Sequence, residues 1–276
     1  MQALAVIFDL VAIMLLVMAA ARGAKGAALE AIVPMIAAGL GLAGLGALLA
    51  AQPTFGHLLL VMLAVGLGAT LGASAAIVAP VARIPLLLNG FLVLYGIVAL
   101  LLALTVADPA IAPAHAQSLS GMLERMLGAV IAALAGGLVF GGGGVLFVYR
   151  LRPVLAARRF DRALRPAQIA PGAVVGLAAI LYLVTDAPLA LWSSALAATF
   201  LAAAVVTATD AGARWPLSVL LTALCGLATA AIGFALASLL LIMAGGMVSA
   251  AMAAVFSGLC REARKPALEL LFGPSD

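Results

Sequence analysis

Charge is what this chain has least of. Asp, Glu, Lys and Arg make up 9% of its 276 residues, where soluble domains carry about 25%. That shortage excludes an ordinary water-soluble globule, because no soluble fold of this length could hide a chain that is 67% apolar. Histidine and cysteine occur twice each. Cys225 and Cys260 lie in or at the end of apolar runs, with neither metal-ligand spacing nor the pattern of a secreted disulfide framework. His57 and His115 fall in or beside loops. No Ser/His/Asp set, carboxylate pair or metal-ligand cluster is available. The expectation is therefore no catalytic residue, no metal site and no cofactor.

What is present is apolar length. Mean hydropathy is +1.31, and nine apolar runs cover residues 3–21, 31–50, 58–78, 85–106, 123–149, 171–185, 189–209, 216–236 and 239–260. A bilayer-crossing helix needs about 20 such residues; the run 171–185 is short and must be tilted or covered by protein. Proline and charge punctuate the gaps. The expected fold class is all-α: a polytopic integral membrane helix bundle of about nine transmembrane helices. One transmembrane domain is expected over residues 1–276, with no soluble domain. The first run lacks a basic leader and holds Asp9, so it reads as a retained helix and not a cleaved signal.

The net charge of +4 is laid out by side. Of the 14 basic residues all but Arg125 fall in the first, third, fifth and seventh gaps and the C-terminal tail. Basic residues in short loops stay in the cytoplasm. The expectation is an inner (cytoplasmic) membrane protein of bacterial type, multi-pass, with its N-terminus outside and its C-terminus inside. The basic balance then reports on lipid, and no nucleic-acid partner is expected. Densest is 150–165, with Arg158, Arg159, Arg162 and Arg165 interleaved with apolar residues. It reads as a contact for anionic lipid or for an acidic soluble partner.

Glycines mark where helices approach. Gly39, Gly41 and Gly44 match the letters of a dinucleotide-binding motif, but they lie mid-run in an apolar segment without the strand that motif requires, so packing is the reading. Gly68 and Gly72 form a GxxxG pair, and Gly136 and Gly141 head the glycine-rich fifth run. The run Gly141–Gly144 fits a tight crossing, or a hinge or slot for Phe140 or Phe147. Gly226, Gly233 and Gly245 belong to the stretch 213–264, two apolar helices joined by a short turn near Ala235–Leu239. Small residues let helix backbones come together in lipid, where no hydrophobic drive exists between them. This hairpin reads as the packing unit on which the chain is organised.

Polar groups inside the runs are sparse. Asp9, Asn89 and Thr222 are the ones to note; Ser193, Ser194, Thr199, Ser218 and Thr229 can bond back to their own helices.

Four stretches together resemble the membrane domain of the beta subunit of proton-translocating NAD(P) transhydrogenase: RIPLLLNGFLVLYGIVALL, LERMLGAVIAALAGGLVFGGGGVLF, LRPAQIAPGAVVGLAAILYLV, and the terminal GARWPLSVLLTALCGLATAAIGFALASLLLIMAGGMVSA. The resemblance lies in their order and the span count, and it covers nearly the whole chain. It implies proton-path positions at Asn89, Thr222 and Arg214. There the family carries a carboxylate and often a histidine on its fourth helix, an acidic residue before its eighth, and an asparagine on its eighth. This chain has Leu87, Asn89, Arg214 and Thr222 instead, and Asn89 and Thr222 do not titrate. The family's chain also continues into a soluble NADP-binding domain that this sequence does not contain.

The expected function is a diverged, non-catalytic membrane subunit, structural or accessory within a larger membrane complex. Its partners would be the bilayer and other membrane subunits; a homodimer is left open by the resemblance. Two alternatives stand beside it: the proton-channel part of a split transhydrogenase with nucleotide-binding domains on other chains, and a small transporter or channel.

Overall fold

Runs of Ala, Leu, Val and Gly that meet no water have one backbone solution, a helix that satisfies its own N–H and C=O groups. A computed structural model describes residues 2–26, 28–51, 54–78, 80, 83–108, 119–152, 165–209 and 211–272, and it is an all-α polytopic bundle. Among these residues nine long helices occur: α1 (Gln2–Ala24), α2 (Leu29–Ala51), α3 (Phe55–Val78), α4 (Ile84–Ala107), α5 (Leu119–Leu151), α6 (Arg165–Thr185), α7 (Pro188–Ala208), α8 (Arg214–Ala235) and α9 (Leu239–Ala263). A short α10 (Ala267–Phe272) follows. Each apolar run falls in one helix to within a residue. Seven helices are long and apolar enough to span; α3 and α6 carry the shorter apolar stretches Leu58–Gly72 and Pro171–Thr185.

The chain divides into two compact units, Met1–Ile84 and Pro85–Asp276. In the first, α1 and α2 form an antiparallel pair. Its seam is written in sevens: Ala5, Ala12 and Ala19 are buried on α1, and Ile32, Gly39 and Gly46 on α2. A seven-residue repeat keeps one stripe of a helix against its neighbour. Alanine and glycine in that stripe bring the backbones close, with a Cβ at Gly39 falling 3.1 Å from Leu16 and 3.3 Å from the Ala12 carbonyl. α3 is different. Every described side chain from Leu59 to Leu71 is exposed, and Gly68 and Gly72 have nothing within 4 Å of where a Cβ would stand. Among the described residues this GxxxG pair makes no helix crossing, because its helix turns no face onto protein there.

In the second unit the centre is α5, not the α8–α9 hairpin. α5 is the most buried of the seven spans, and α4, α7 and α8 close on it at its glycines. A Cβ on α4's Gly96 would lie 2.6 Å from the Phe140 amide nitrogen; one on Gly136, 3.0 Å from Ala99; one on Gly137, 2.6 Å from the Ala195 carbonyl; one on Gly128, 2.7 Å from the Ala231 carbonyl. α6 joins the same core through Ala179 and Tyr182. The glycine run presents successive residues to different neighbours: Gly141 to Thr199 of α7, Gly142 to Leu221 of α8, Gly143 to Leu92 of α4. A helix rotates by 100° per residue, so one glycine run serves three partners. This is the tight crossing; only Gly144 has no neighbour within 4 Å.

The α8–α9 pair is equally close. A Cβ at Gly226 would sit 2.6 Å from the Gly245 carbonyl and one at Gly233 2.6 Å from the Ile242 amide nitrogen. Their turn is closed by the Ser238 N–H donating to the Gly233 carbonyl at 2.8 Å, and it holds Ala237 at φ 52°. The left-handed region costs a non-glycine residue roughly 1–2 kcal/mol, more than the about 0.4–1 kcal/mol of unfolded-chain entropy that glycine adds. Ala237→Gly is therefore expected to raise stability by up to about 1 kcal/mol in detergent unfolding; a loss of stability would show that the turn is not strained there.

Candidate functional site

The hairpin sets Arg214, which opens α8, at the same end as Arg261 and Arg264, which close α9. The Arg214 guanidinium lies over the Tyr149 ring, 4.9 Å from its centroid, which brings the end of α5 with Arg150 and Arg152 to that end too. All these basic residues of the second unit therefore share one end, and Lys265 pairs loosely with Glu269 at 3.9 Å beside them.

The basic residue that breaks this pattern sits at the opposite end. Arg125 lies in the second turn of α5 and is 3% exposed. Its Nη2 donates to Asp186 Oδ2 at 2.6 Å, and its Nη1 donates to the carbonyl of Ala107, the last residue of α4. Asp186 occupies the turn between α6 and α7 in the left-handed conformation, φ 50°, with its N–H bonded to the Tyr182 carbonyl at 2.8 Å. One guanidinium thus ties the end of α4, the start of α5 and the α6–α7 turn. The carbonyls at a helix C-terminus lack partners within the helix and carry partial negative charge, so Ala107 and Asp186 both suit a cation. Tyr182 is wholly buried beneath the pair with its hydroxyl beside both charged groups, though among the described residues neither that hydroxyl nor Asp186 Oδ1 makes a hydrogen bond of normal geometry.

A second polar cluster lies where α4 meets α8. The Tyr95 hydroxyl donates to the Cys225 carbonyl at 2.8 Å and touches the Thr229 hydroxyl, which itself reaches the same carbonyl at 3.0 Å. Elsewhere hydroxyls turn back onto their own helices: Ser193 to Ala190, Ser194 to Leu191, Thr199 to Ala195, Ser218 to Trp215. Thr222 does so as well, to Ser218 at 2.9 Å. Asn89 is buried on α4, and no hydrogen bond joins it to Thr222. Arg214, at the mouth of α8, is engaged with Tyr149. The three positions of the resemblance therefore lie on two helices and form no bonded chain. Arg158, Arg159 and Arg162 lie outside the described residues, and Arg165 begins α6. Among the described residues no three His, Cys, Asp or Glu side chains converge as metal ligands do.

Reading the sequence missed the Arg125–Asp186–Tyr182 cluster. The signal was there: Arg125 is the one basic residue off the basic side, and Asp186 falls in another gap on that same side. Taken one at a time each reads as a loop charge; only the packing of α5 against α6 and α7 makes them a pair. Chemically the cluster is a clamp, an ion pair on helix ends. No protein-family model and no curated protein matches this chain.

Proposed function

We propose that this chain is a non-catalytic membrane subunit, a packing component of a larger membrane complex, on a scaffold that resembles the transhydrogenase beta-subunit membrane domain. The observation that carries the reading is how the interior of the second unit is filled. α5 meets three neighbours at backbone distance through Gly128, Gly136, Gly137 and Gly141, and the hydroxyls around it are bonded to main-chain carbonyls. A proton relay needs groups that titrate or hold water near the midplane; the ionised pair lies instead at one end and is closed on itself. The split-transhydrogenase alternative draws on one observation, the burial of Asn89 on α4.

Orientation follows from the charge pattern. The basic end faces the cytoplasm of a bacterial-type inner membrane, where each arginine near an anionic leaflet contributes about 1 kcal/mol. A cysteine replacing Arg264 is expected to react with an impermeant reagent from the cytoplasmic side only.

Mild-detergent purification with reconstitution tests the function. The expected result is co-migration with another membrane chain and no gradient-driven proton flux above empty vesicles. A chain that migrates alone overturns the subunit reading. Flux that Asn89→Leu abolishes replaces it with the transhydrogenase alternative.

A further inference from the structure

Charged residues lie about two turns into two of the spans, Glu124 and Arg125 in α5 and Asp9 in α1. Arg125 has its counter-ion within the chain. Among the described residues of its own hairpin Asp9 pairs with no basic side chain, and along α1 and α2 the other ionisable groups, Arg22 and Glu30, stand at the far end of the pair. Arg22 turns to Met35, its Nη1 3.5 Å from the sulfur.

The position of Asp9 is built. Beside the buried seam of Ala5, Ala12 and Ala19 runs a parallel row seven residues apart: Asp9, Leu16 and Gly23. These meet Gly46, Gly39 and Ile32 of α2 in turn. Asp9 thus takes the place that Leu16 fills one heptad on, where lipid and packing would both accept an apolar side chain. Room for its carboxyl comes from Gly46: a Cβ there would fall 2.7 Å from Asp9 Oδ1 and 3.3 Å from the Ala5 carbonyl. The side chain is half-buried at the edge of the seam, and beside it Val6 and Leu10 are exposed and apolar. The hairpin therefore offers one carboxyl, on an otherwise apolar face, to whatever lies alongside it in the membrane.

We propose that this face of the α1–α2 hairpin docks a membrane-spanning helix of a partner protein that brings a lysine or arginine to the depth of Asp9. The inference rests on the subunit reading. Charge complementarity selects the occupant: intramembrane charges pair with one another or mark a function, and this one is unmatched within its own hairpin. A second copy's hairpin does not supply the match, because a copy inserted the same way carries Arg22 13 positions along α1, roughly 20 Å deeper or shallower.

The test uses the full chain in phosphatidylcholine vesicles, labelled with a donor fluorophore at Leu4→Cys in a Cys260→Ala background. The probe is an acceptor-labelled synthetic leucine–alanine transmembrane helix. It carries a single lysine two turns from one end, or leucine at that position. Energy transfer is expected to show the lysine probe binding about tenfold more tightly than the leucine probe. Asp9→Asn is expected to abolish the preference and Asp9→Glu to keep it, both with helical circular dichroism unchanged. Equal binding of the two probes overturns the proposal, as does a preference that survives Asp9→Asn. Co-purification separates the two levels. No partner with the unaltered chain sinks the subunit reading, whereas a partner retained equally by Asp9→Asn sinks only the docking site.

Discussion

Gly141→Ala is expected to be among the most damaging single-methyl additions in the protein. The new Cβ would be driven into the Thr199 carbonyl of α7, and backbone cannot swing aside as the tip of a side chain can. Overpacking a filled interior costs typically 1–3 kcal/mol; a clash with main chain belongs at the upper end of about 3 kcal/mol or beyond, because α5 and α7 must separate along their length. Gly96→Ala, aimed at the Phe140 backbone from the α4 side, is expected to behave alike. The control lies three residues from Gly141. Gly144 has no neighbour within 4 Å, so Gly144→Ala should leave stability unchanged or raise it slightly through helix propensity. Equilibrium unfolding in mixed detergent micelles reads all three. Equal effects at 141 and 144 would mean that α5 is not the hub.

Arg125→Leu is expected to cost about 3 kcal/mol. Losing the guanidinium strands the Asp186 carboxylate and leaves the Ala107 carbonyl without its donor. Breaking a buried pair from one side costs about 3–5 kcal/mol, most of it the penalty of an uncompensated charge. The low end applies because the Asp186 side chain is still 25% exposed. Arg125→Leu combined with Asp186→Asn should then lose less than the two single changes together, since the second removes the charge that the first abandons. Additive losses in the same unfolding assay would show that the two residues are not coupled. Tyr182→Phe offers a further reading of the cluster. Among the described residues its hydroxyl makes no hydrogen bond of normal geometry, so removing it is expected to change stability by less than about 1 kcal/mol; a larger loss would show that the hydroxyl serves the ion pair it lies beside.

How far the sequence reaches is visible in the glycines. Gly136, Gly141, Gly226, Gly233 and Gly245 all stand where a neighbouring helix presses close, and Gly68 and Gly72 carry the same spacing signal yet meet nothing. In water an amphipathic pattern would tell the two cases apart, because the outward face must be polar. In lipid both faces are apolar, so the spacing says that a helix can pack and is silent on whether another helix is there. For the same reason the hairpin 213–264 looked like the organising unit: two helices joined by a three-residue turn must touch. The contacts of α5 with α4, α7 and α8 join residues far apart in the chain and have no such local cause.

The sequence by itself determined the membrane class, the number of the long helices, the helical fate of every apolar run, and the sorting of basic residues to alternate gaps. Each of these follows from the local transfer free energy of side chains and backbone between water and hydrocarbon. Only the tertiary structure decided that α5 is the centre, that the α1–α2 seam sets Asp9 over Gly46, and that Arg125 closes on Asp186 and the end of α4. These depend on which helices stand side by side and at what rotation. Between helices dissolved in lipid that choice is made by close fit and a few polar contacts, which exist only once the neighbours are in place.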